Sequence, residues 1–368
     1  MDQQARKLGI REYVSIAILM MGAKGTEDTS AILYKAVQNA SWMIPILAAG
    51  IFVIPLLLLL KTLSLYPDKD LFSVIRKLFG KYIGFLVCLL IFLICSFGIS
   101  FDSRSYTNII RTFYFPTTPL LVIYAMLMTI CAYGAKKGIQ HIGSVSYLVV
   151  FYAVITLNIA LLLSIKSSTI RAIFPILGPG PLKLTKDSFL GLSLFVDFFL
   201  LTMIIPFFCS VKDFRKGTWI AFIYLTFQIS LMFLTYICLF DTSLGTIGYP
   251  FHTLIRFISL GSFLPNVEIL FFVIWLMSAF IRFTAFLYIN GMMFGLIFKI
   301  KDFEYLIPSL AVIYILIGSI PESALEASNI KMFTSSAAGP VFTIISVMLW
   351  LVAMLRGEFK HAKNRDSM

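Results

Sequence analysis

The chain has 368 residues, of which 59% are hydrophobic and 13% are charged, and it carries a formal net charge of +12 at pH 7. Soluble domains contain about 25% charged residues, so this composition excludes an ordinary soluble protein and indicates a membrane protein with many spans. The basic residues lie in short clusters between apolar segments and form no groove with interleaved aromatic residues. We therefore expect a lipid bilayer with anionic headgroups as their partner, and no nucleic acid.

Ten hydrophobic segments predict membrane-spanning helices. If the N-terminus is inside, the inner loops carry about twice as many Lys and Arg residues as the outer loops, which is the bias of membrane proteins. We therefore expect an all-α integral membrane protein, a single polytopic membrane domain over residues 1–368, with both termini cytoplasmic. The segments cover residues 11–38, 41–61, 82–103, 118–134, 142–165, 188–210, 218–240, 267–297, 303–321 and 337–356.

The first segment is interrupted by the stretch Gly22 to Ser30, which contains glycines and charged side chains. The apolar run before it, Tyr13 to Met21, has about half of the roughly 20 residues that cross a bilayer. A helix that stops part-way leaves backbone groups free, and these are tolerated at membrane depth only against protein, a ligand or a water-filled cavity. The stretch is therefore either a binding site or, if the first span ends near Gly25, an outer loop.

Two adjacent carboxylates, Glu27 and Asp28, lie in this interruption together with Lys24. Near an unwound turn, the carboxylates can bind a ligand ammonium group, a cation or a proton, with Lys24 as an internal counter-charge. In an outer loop the same charges would lie in solvent.

The sixth segment is interrupted by Gly191, Ser193 and Asp197, and Pro206 follows nine residues after Asp197. Asp197 has apolar neighbours on both sides, and a lone charge at the centre of a membrane helix costs about 2.5–3.5 kcal/mol. We therefore expect Asp197 to face the interior of the bundle and to be paired or protonated. It is either a functional residue or a structural cap on the broken helix.

Five spans followed by five more, with each set opening on an interrupted helix, is the pattern of transporters built from inverted repeats. In such folds, half-helix N-termini and free carbonyls near the membrane centre bind the substrate and the coupled ion. We expect about ten transmembrane helices in a 5+5 inverted-repeat, transporter-like bundle with helices 1 and 6 broken. The predicted ligand-binding residues are Gly22, Ala23, Gly25, Thr26, Glu27, Asp28, Gly191, Ser193 and Asp197.

Four further charged residues lie in or near the spans. Arg282 and Glu268 are separated by about 21 Å along the eighth helix, too far to pair with each other. We expect Arg282 to pair with a carboxylate of another span and Glu268 to lie at the outer mouth. Asp102 and Arg104, at the end of the third span, are expected to be interfacial charges.

The pattern of cysteines and histidines predicts no metal site and no cofactor. No CxxC pair is present, and the three histidines have no partner at ligand spacing. The chain also lacks the GxSxG, HExxH, Walker and GxGxxG motifs, so we expect no catalytic residues and no enzyme activity. Five cysteines are expected to be buried thiols, namely Cys88, Cys95, Cys131, Cys209 and Cys238.

Several local motifs resemble the B-subunit family of bacterial spore-germination receptors, a branch of the amino acid–polyamine–organocation transporter superfamily. The resemblance covers essentially the whole chain, and the order and spacing of the motifs across ten spans make it specific. The motifs are Phe174 to Gly180, Asp197 with Pro206, the basic loop Lys212 to Lys216, Tyr249-Pro250, Leu254 to Arg256, Phe263-Leu264, Glu268 and Trp275.

The resemblance implies a polytopic subunit of the spore inner membrane, assembled with a larger A subunit and a lipoprotein C subunit. Such a subunit senses a small germinant, often an amino acid, in a transporter-like pocket and triggers germination. Candidate partner surfaces are the segments 241–266 and 322–336 with the lipid-facing sides of the terminal spans. The residues alone favour a different function, that of an ion- or proton-coupled amino acid permease.

The chain departs from the family at two points. The first-span break is usually small and apolar in the family, whereas here it carries Lys24, Glu27 and Asp28. The family tends to have an Arg before the acidic residue that opens span eight, where this chain has Val267 before Glu268. Adjacent carboxylates favour a ligand amine and half-helix N-termini favour a carboxylate, so an amino acid satisfies both. Sugars, nucleosides and inorganic ions are the alternative ligand classes.

Overall fold

The computed structural model describes residues 7–258 and 267–360, and within these residues fourteen α-helices follow one another. Phe263-Leu264 of the family motif, part of the candidate partner surface 241–266, and the basic residues Arg6, Lys363 and Arg365 lie outside the described residues. The helices are α1 (Ile10–Gly22), α2 (Thr29–Val37), α3 (Ile44–Leu63), α4 (Leu71–Phe79), α5 (Lys81–Phe113), α6 (Leu120–Lys136), α7 (Ile139–Ser164), α8 (Pro181–Asp187), α9 (Asp197–Leu201), α10 (Val211–Phe240), α11 (Pro250–Phe257), α12 (Val267–Phe298), α13 (Ile307–Gly318) and α14 (Ala324–Leu355).

The first span is a helix in two parts. α1 is followed by a 3-10 turn over Ala23–Thr26, and α2 begins only at Thr29. Between them Glu27 has an extended backbone, with φ −95° and ψ −161°. Glycine disfavours a helix interior by about 1 kcal/mol relative to alanine, so the two glycines of this stretch weaken the helix locally. The predicted interruption of the first span is confirmed.

The sixth span, Pro181–Phe207, is also broken. After α8 the chain forms a 3-10 turn over Leu190–Leu194, the short helix α9, and a second 3-10 turn over Thr202–Phe207. Pro206 lies in the last turn, where its missing N–H removes one helical hydrogen bond. Both interruptions therefore occur where the sequence predicts them.

Seven segments of the described chain are long and apolar enough to cross a membrane. The shorter apolar helices α6 and α13, together with the interrupted first span, correspond to the other three predicted spans. The predicted all-α membrane bundle of about ten transmembrane helices is therefore confirmed. The seven segments are Thr29–Leu63, Lys81–Phe113, Ile139–Ser167, Pro181–Phe207, Val211–Gly245, Glu268–Phe298 and Ala324–Leu355.

Two helices extend further than their hydropathy predicts. α5 continues beyond residue 103 to Phe113, and α14 begins at Ala324 instead of near residue 337. Buried polar residues lie in both extensions, among them Arg104 and Asn108 of α5 and Lys331 of α14, which is paired with Asp28. A hydropathy window assigns such polar residues to a loop, although here the helix continues through them.

α1 lies in the middle of the bundle, packed against α7, α10 and α12. Tyr13 near its start is fully buried, and its hydroxyl shares a 2.8 Å hydrogen bond with Thr218 of α10. α14 packs against α3 and α5 and against the first 3-10 turn of the sixth span. Large apolar side chains such as Leu86, Met126 and Leu148 are exposed on α5, α6 and α7, as expected of a lipid-facing surface.

Candidate functional site

A cavity of about 130 Å³ lies between the two interrupted spans. Its wall comes from the break in the first span, the sixth span, α5, α12 and α14. Apolar residues such as Ile99, Phe286 and Phe342 form most of the wall. The charged residues that line it are Lys24, Glu27, Asp102, Asp197, Arg282 and Lys331.

Lys24 joins the two interrupted spans. Its Nζ lies 2.9 Å from Oδ2 of Asp197 and donates a 2.7 Å hydrogen bond to the carbonyl of Ser193. The contact with Asp197 is an ion pair, and within the described residues Oδ2 of Asp197 accepts no hydrogen bond. The expectation that Asp197 faces the interior and is paired is therefore confirmed. Lys24 pairs with Asp197 across the bundle, and so it is not the counter-charge of Glu27 and Asp28 that the sequence predicts.

Lys331 of α14 is the counter-charge of Glu27 and Asp28. Its ammonium group donates to Glu27 and, at 2.8 Å, to Asp28, and it lies 3.8 Å from Asp102. Ser328, one turn earlier on α14, donates a 2.7 Å hydrogen bond to the second oxygen of Asp28. The tenth predicted span, 337–356, leaves Lys331 outside the membrane bundle, and this is wrong, because α14 begins at Ala324 and carries Lys331 into the protein.

Arg282 of α12 pairs with Asp102 of α5. Its Nε and Nη2 lie 2.9 Å and 2.6 Å from Oδ2 of Asp102, and Nη1 donates to the carbonyl of Met20 at the end of α1. The same guanidinium lies 3.7 Å from Asp197 and 4.0 Å from Glu27. The expected partner on another span is confirmed. The interfacial position expected for Asp102 is wrong, because α5 continues and buries this carboxylate.

Seven charged side chains, namely the six that line the cavity and Asp28, form one connected, buried cluster. Glu27 is only 1% exposed and Asp28 only 7%, so neither lies in a solvent-exposed loop. Tyr106 of α5 adds a 2.8 Å hydrogen bond to Glu27. If every group is ionised, three cations and four carboxylates give the cluster a formal charge of −1. Removing one partner from such a buried pair costs about 3–5 kcal/mol, because the other charge stays buried.

The opposite side of the first-span break faces a second cavity of about 70 Å³. Gly22, Ala23 and Thr26 line it together with mainly apolar residues of α7, α10, α11 and α12. Thr26 accepts a 2.9 Å hydrogen bond from the indole of Trp275 and donates one of 2.6 Å to the carbonyl of Ala23. This side of the break is held by neutral contacts.

Gly25 and Gly191 line neither of these cavities and pack against neighbouring helices instead. A Cβ at Gly25 would lie 2.8 Å from the sulfur of Met232, and one at Gly191 would lie 2.5 Å from Cγ2 of Ile44 and 2.9 Å from Cβ of Ala48. Of the nine predicted ligand-binding residues, Glu27, Ser193 and Asp197 line the charged cavity, Asp28 joins the cluster behind it, and Gly22, Ala23 and Thr26 line the second cavity.

Asp102 and Lys331 are site residues that the sequence reasoning missed. For Lys331 a signal exists, since Ser323 and Glu326 have the S-x-x-E spacing of a helix start. The Ser323 hydroxyl does accept a 3.1 Å bond from the N–H of Glu326. That start would have placed Lys331 inside the last span.

Three further expectations concern residues away from the cavity. Glu268 pairs with Arg256 of α11 at 3.3 Å, and both side chains are partly exposed. Among the cysteines, Cys209 is exposed, so a buried thiol is the wrong expectation there. Arg104 is buried, in contrast to its expected interfacial position.

Comparison with known proteins adds two findings. A family model described as "Spore germination protein" matches residues 8–327 of the chain. The chain is also similar to spore germination protein A2 of Bacillus subtilis (strain 168), with 27% identity over 318 residues that cover 79% of this chain and 82% of that protein.

Solved structures of similar fold are known. MhsT in complex with L-phenylalanine matches with a TM-score of 0.68 at 16% identity, covering 91% of this chain and 87% of MhsT. A manganese transporter of Eremococcus coleocola matches with a TM-score of 0.58 at 12% identity, covering 93% of this chain and 78% of the transporter. At these identities the likeness concerns the fold alone, and the predicted transporter-like bundle with broken helices 1 and 6 is confirmed.

Proposed function

The chain belongs to the spore germination protein family, and from this premise we propose that it is the germinant-sensing integral membrane subunit of a spore germination receptor. Its family and fold are receptor- and transporter-like. The observation that carries the proposal is the cavity between the two interrupted spans, lined by charges of both signs. In this proposal the whole chain acts as one membrane domain in the spore inner membrane, with both termini cytoplasmic.

A small amino acid is the ligand that this cavity supports best. Its volume of about 130 Å³ is close to the roughly 150 Å³ cavity that admits benzene, so a ligand with about six non-hydrogen atoms fits. Carboxylates and ammonium groups line the wall together, and a zwitterion offers a partner to each sign of charge. Glu27, Ser193 and Asp197 are the proposed ligand contacts, while the glycines and Thr26 shape the two breaks.

A bundle of this fold becomes a sensor if the ligand favours one arrangement of its helices and a partner reads the shift. The available shift cannot exceed the difference in the ligand's affinity for the two arrangements. We propose the receptor A subunit and the lipoprotein C subunit as those partners. The start of α14 is a candidate contact, because Leu325 and Phe333 there are 72% and 74% exposed while Lys331 of the same helix reaches the charged cluster.

An ion- or proton-coupled amino acid permease is the second candidate function, and the transporter fold favours it. The two functions differ in whether the isolated chain moves its ligand. The test is uptake of labelled amino acids by the purified chain in liposomes, together with germination of spores that lack the A or the C subunit. The receptor proposal predicts no uptake above empty liposomes and no germination without the partners. Robust uptake, or germination without the partners, would establish the permease instead.

The ligand class has its own test, a panel of amino acids and nucleosides scored both by germination and by thermal shift of the purified chain. The proposal predicts responses among small amino acids. Responses confined to nucleosides would exclude the amino acid and leave the receptor function in place.

A further inference from the structure

The sixth span presents a set of acceptors that suits a primary ammonium group. The carbonyls of Ser193 and Leu194 end the 3-10 turn, where the last carbonyls of a helical turn lack partners and carry partial negative charge. The carboxylate of Asp197 follows on the next turn. Lys24 Nζ lies 2.7 Å and 3.5 Å from the two carbonyls and 2.9 Å from the carboxylate. An ammonium group has three N–H donors, and this one donates to the two carbonyls and forms an ion pair with the carboxylate.

We propose that this is the ammonium-binding site for the ligand and that Lys24 fills it as a tethered occupant until a ligand displaces it. The inference rests on the proposed function and specifies the ligand as a molecule with a primary ammonium group. Lys24, Ser193 and Asp197 all line the cavity, so a ligand in the cavity reaches the ion pair without separating any helices.

An amino acid would separate Lys24 from Asp197 and pair with each of them through one of its own two charges. Its ammonium group takes the position of Nζ against Asp197 and the Ser193 carbonyl, and the displaced Lys24 pairs with its carboxylate. One buried ion pair becomes two, and the net charge of the cluster is unchanged. The contact that joins the interrupted first and sixth spans is replaced by one that runs through the ligand, so ligand binding alters the link between the two broken helices.

The test removes the tethered ammonium group and supplies a free one. The variant Lys24→Ala in the full chain, purified in lipid nanodiscs, is titrated with ethylammonium chloride while its melting temperature is followed. Tetramethylammonium chloride at equal ionic strength is the control, because it carries the same charge without N–H donors. We expect Lys24→Ala to melt below the unaltered chain. Ethylammonium should restore at least half of that loss in a saturable way, and tetramethylammonium should not.

Two further titrations locate the effect. The double variant Lys24→Ala with Asp197→Asn should not respond to ethylammonium, and the unaltered chain should need at least a tenfold higher concentration for any response. Equal effects of the two cations, or a response that persists without the Asp197 carboxylate, would overturn the proposal. If Lys24→Ala does not fold, Lys24→Gln replaces it, since its amide can still donate to the Ser193 carbonyl, and methylammonium is the smaller probe.

The rescue experiment uses a simple amine and needs no germinant. If the rescue fails, the ammonium site is rejected, and the receptor assignment is still decided by the uptake and germination experiments. A successful rescue in a chain that transports amino acids would keep the site and reject the receptor.

Discussion

The two sides of the first-span break differ in chemistry although they belong to the same few residues. Lys24 and Glu27 face the charged cavity, whereas Ala23 and Thr26 face the neutral one. A 3-10 turn has three residues per turn, so Ala23 and Thr26, three positions apart, share the neutral side and Lys24 lies on another side. Glu27 follows the turn with an extended backbone, and its side chain joins Lys24 on the side that reaches the charges of the sixth span, α5, α12 and α14. The break in the first span therefore has one side that lines the charged cavity and another side that packs against neutral residues.

The largest effect is expected at the link between the charged side and α14. Lys331→Met leaves Glu27 and Asp28 buried without their main cation, and we expect a loss of about 3–5 kcal/mol in the free energy of unfolding. Chemical unfolding of the purified chain, followed by tryptophan fluorescence, measures it.

Lys35→Met is the matched control, because Lys35 is exposed on α2 of the same span. Such a surface change should stay within about 0.5 kcal/mol. Adding Asp28→Asn and Glu27→Gln to Lys331→Met should recover part of the loss. Equal losses for the two lysine variants would show that the cluster does not hold α14 to the break.

Asp197→Asn separates charge from shape at the sixth-span break. We expect the ligand-induced thermal shift and the germination response to disappear in protein that still folds but melts at a lower temperature, since the amide keeps the volume but not the charge that pairs with Lys24. Asp213→Asn, at the start of α10, is the control and should leave both responses unchanged. A normal response of Asp197→Asn would make Asp197 a structural cap, which is the alternative that the sequence leaves open.

The two breaks and their charged residues show how much of the site can be predicted from the sequence. The positions of both breaks, the number of spans and the interior position of Asp197 follow from hydropathy and glycine placement, because these properties are local. The partners of the charges do not follow, since Lys331 lies more than three hundred residues from Glu27 and Asp28 along the chain. Hydropathy places Asp102 at the end of the third span and Lys331 in a loop, because charged side chains lower the hydropathy of a helix even where they are paired and buried.

A smaller effect distinguishes the two glycines that the sequence places in the pocket. A Cβ at Gly191 meets Cβ of Ala48 at 2.9 Å, and this atom is fixed to the backbone. A Cβ at Gly25 meets the end of the Met232 side chain, which can turn away. We expect Gly191→Ala to cost about 1–3 kcal/mol of unfolding free energy, which is the usual cost of overpacking, and Gly25→Ala to cost less.

The same unfolding assay compares the two variants side by side. Ala48→Gly combined with Gly191→Ala should restore part of the lost stability, because it removes one of the two atoms that the new methyl group meets and leaves Cγ2 of Ile44 in place. A larger cost at Gly25 than at Gly191 would contradict packing as the role of these glycines.

The smallest effect concerns the cover of the neutral side, α11, whose Phe251 lines the second cavity. The next residue, His252, is buried, with its ring 4.5 Å from that of Trp275 and its Nδ1 3.2 Å from the hydroxyl of Tyr114. Burial, and to a lesser degree the nearby Arg256, lowers the pKa of His252 to about 3.

In the unfolded chain a histidine has a pKa of about 6.5, so below that pH the unfolded state binds a proton that the folded state does not. Stability is then unaffected above pH 6.5 and falls as the pH drops from 6.5 towards 3, by about 1.4 kcal/mol at pH 5.5. Unfolding measured at pH 7.5 and pH 5.5 tests this, with His252→Phe as the variant that cannot titrate. We expect the variant to lose less stability than the unaltered chain over this interval, because other groups titrate equally in both. If both lose the same amount, the acid sensitivity comes from other groups and not from His252.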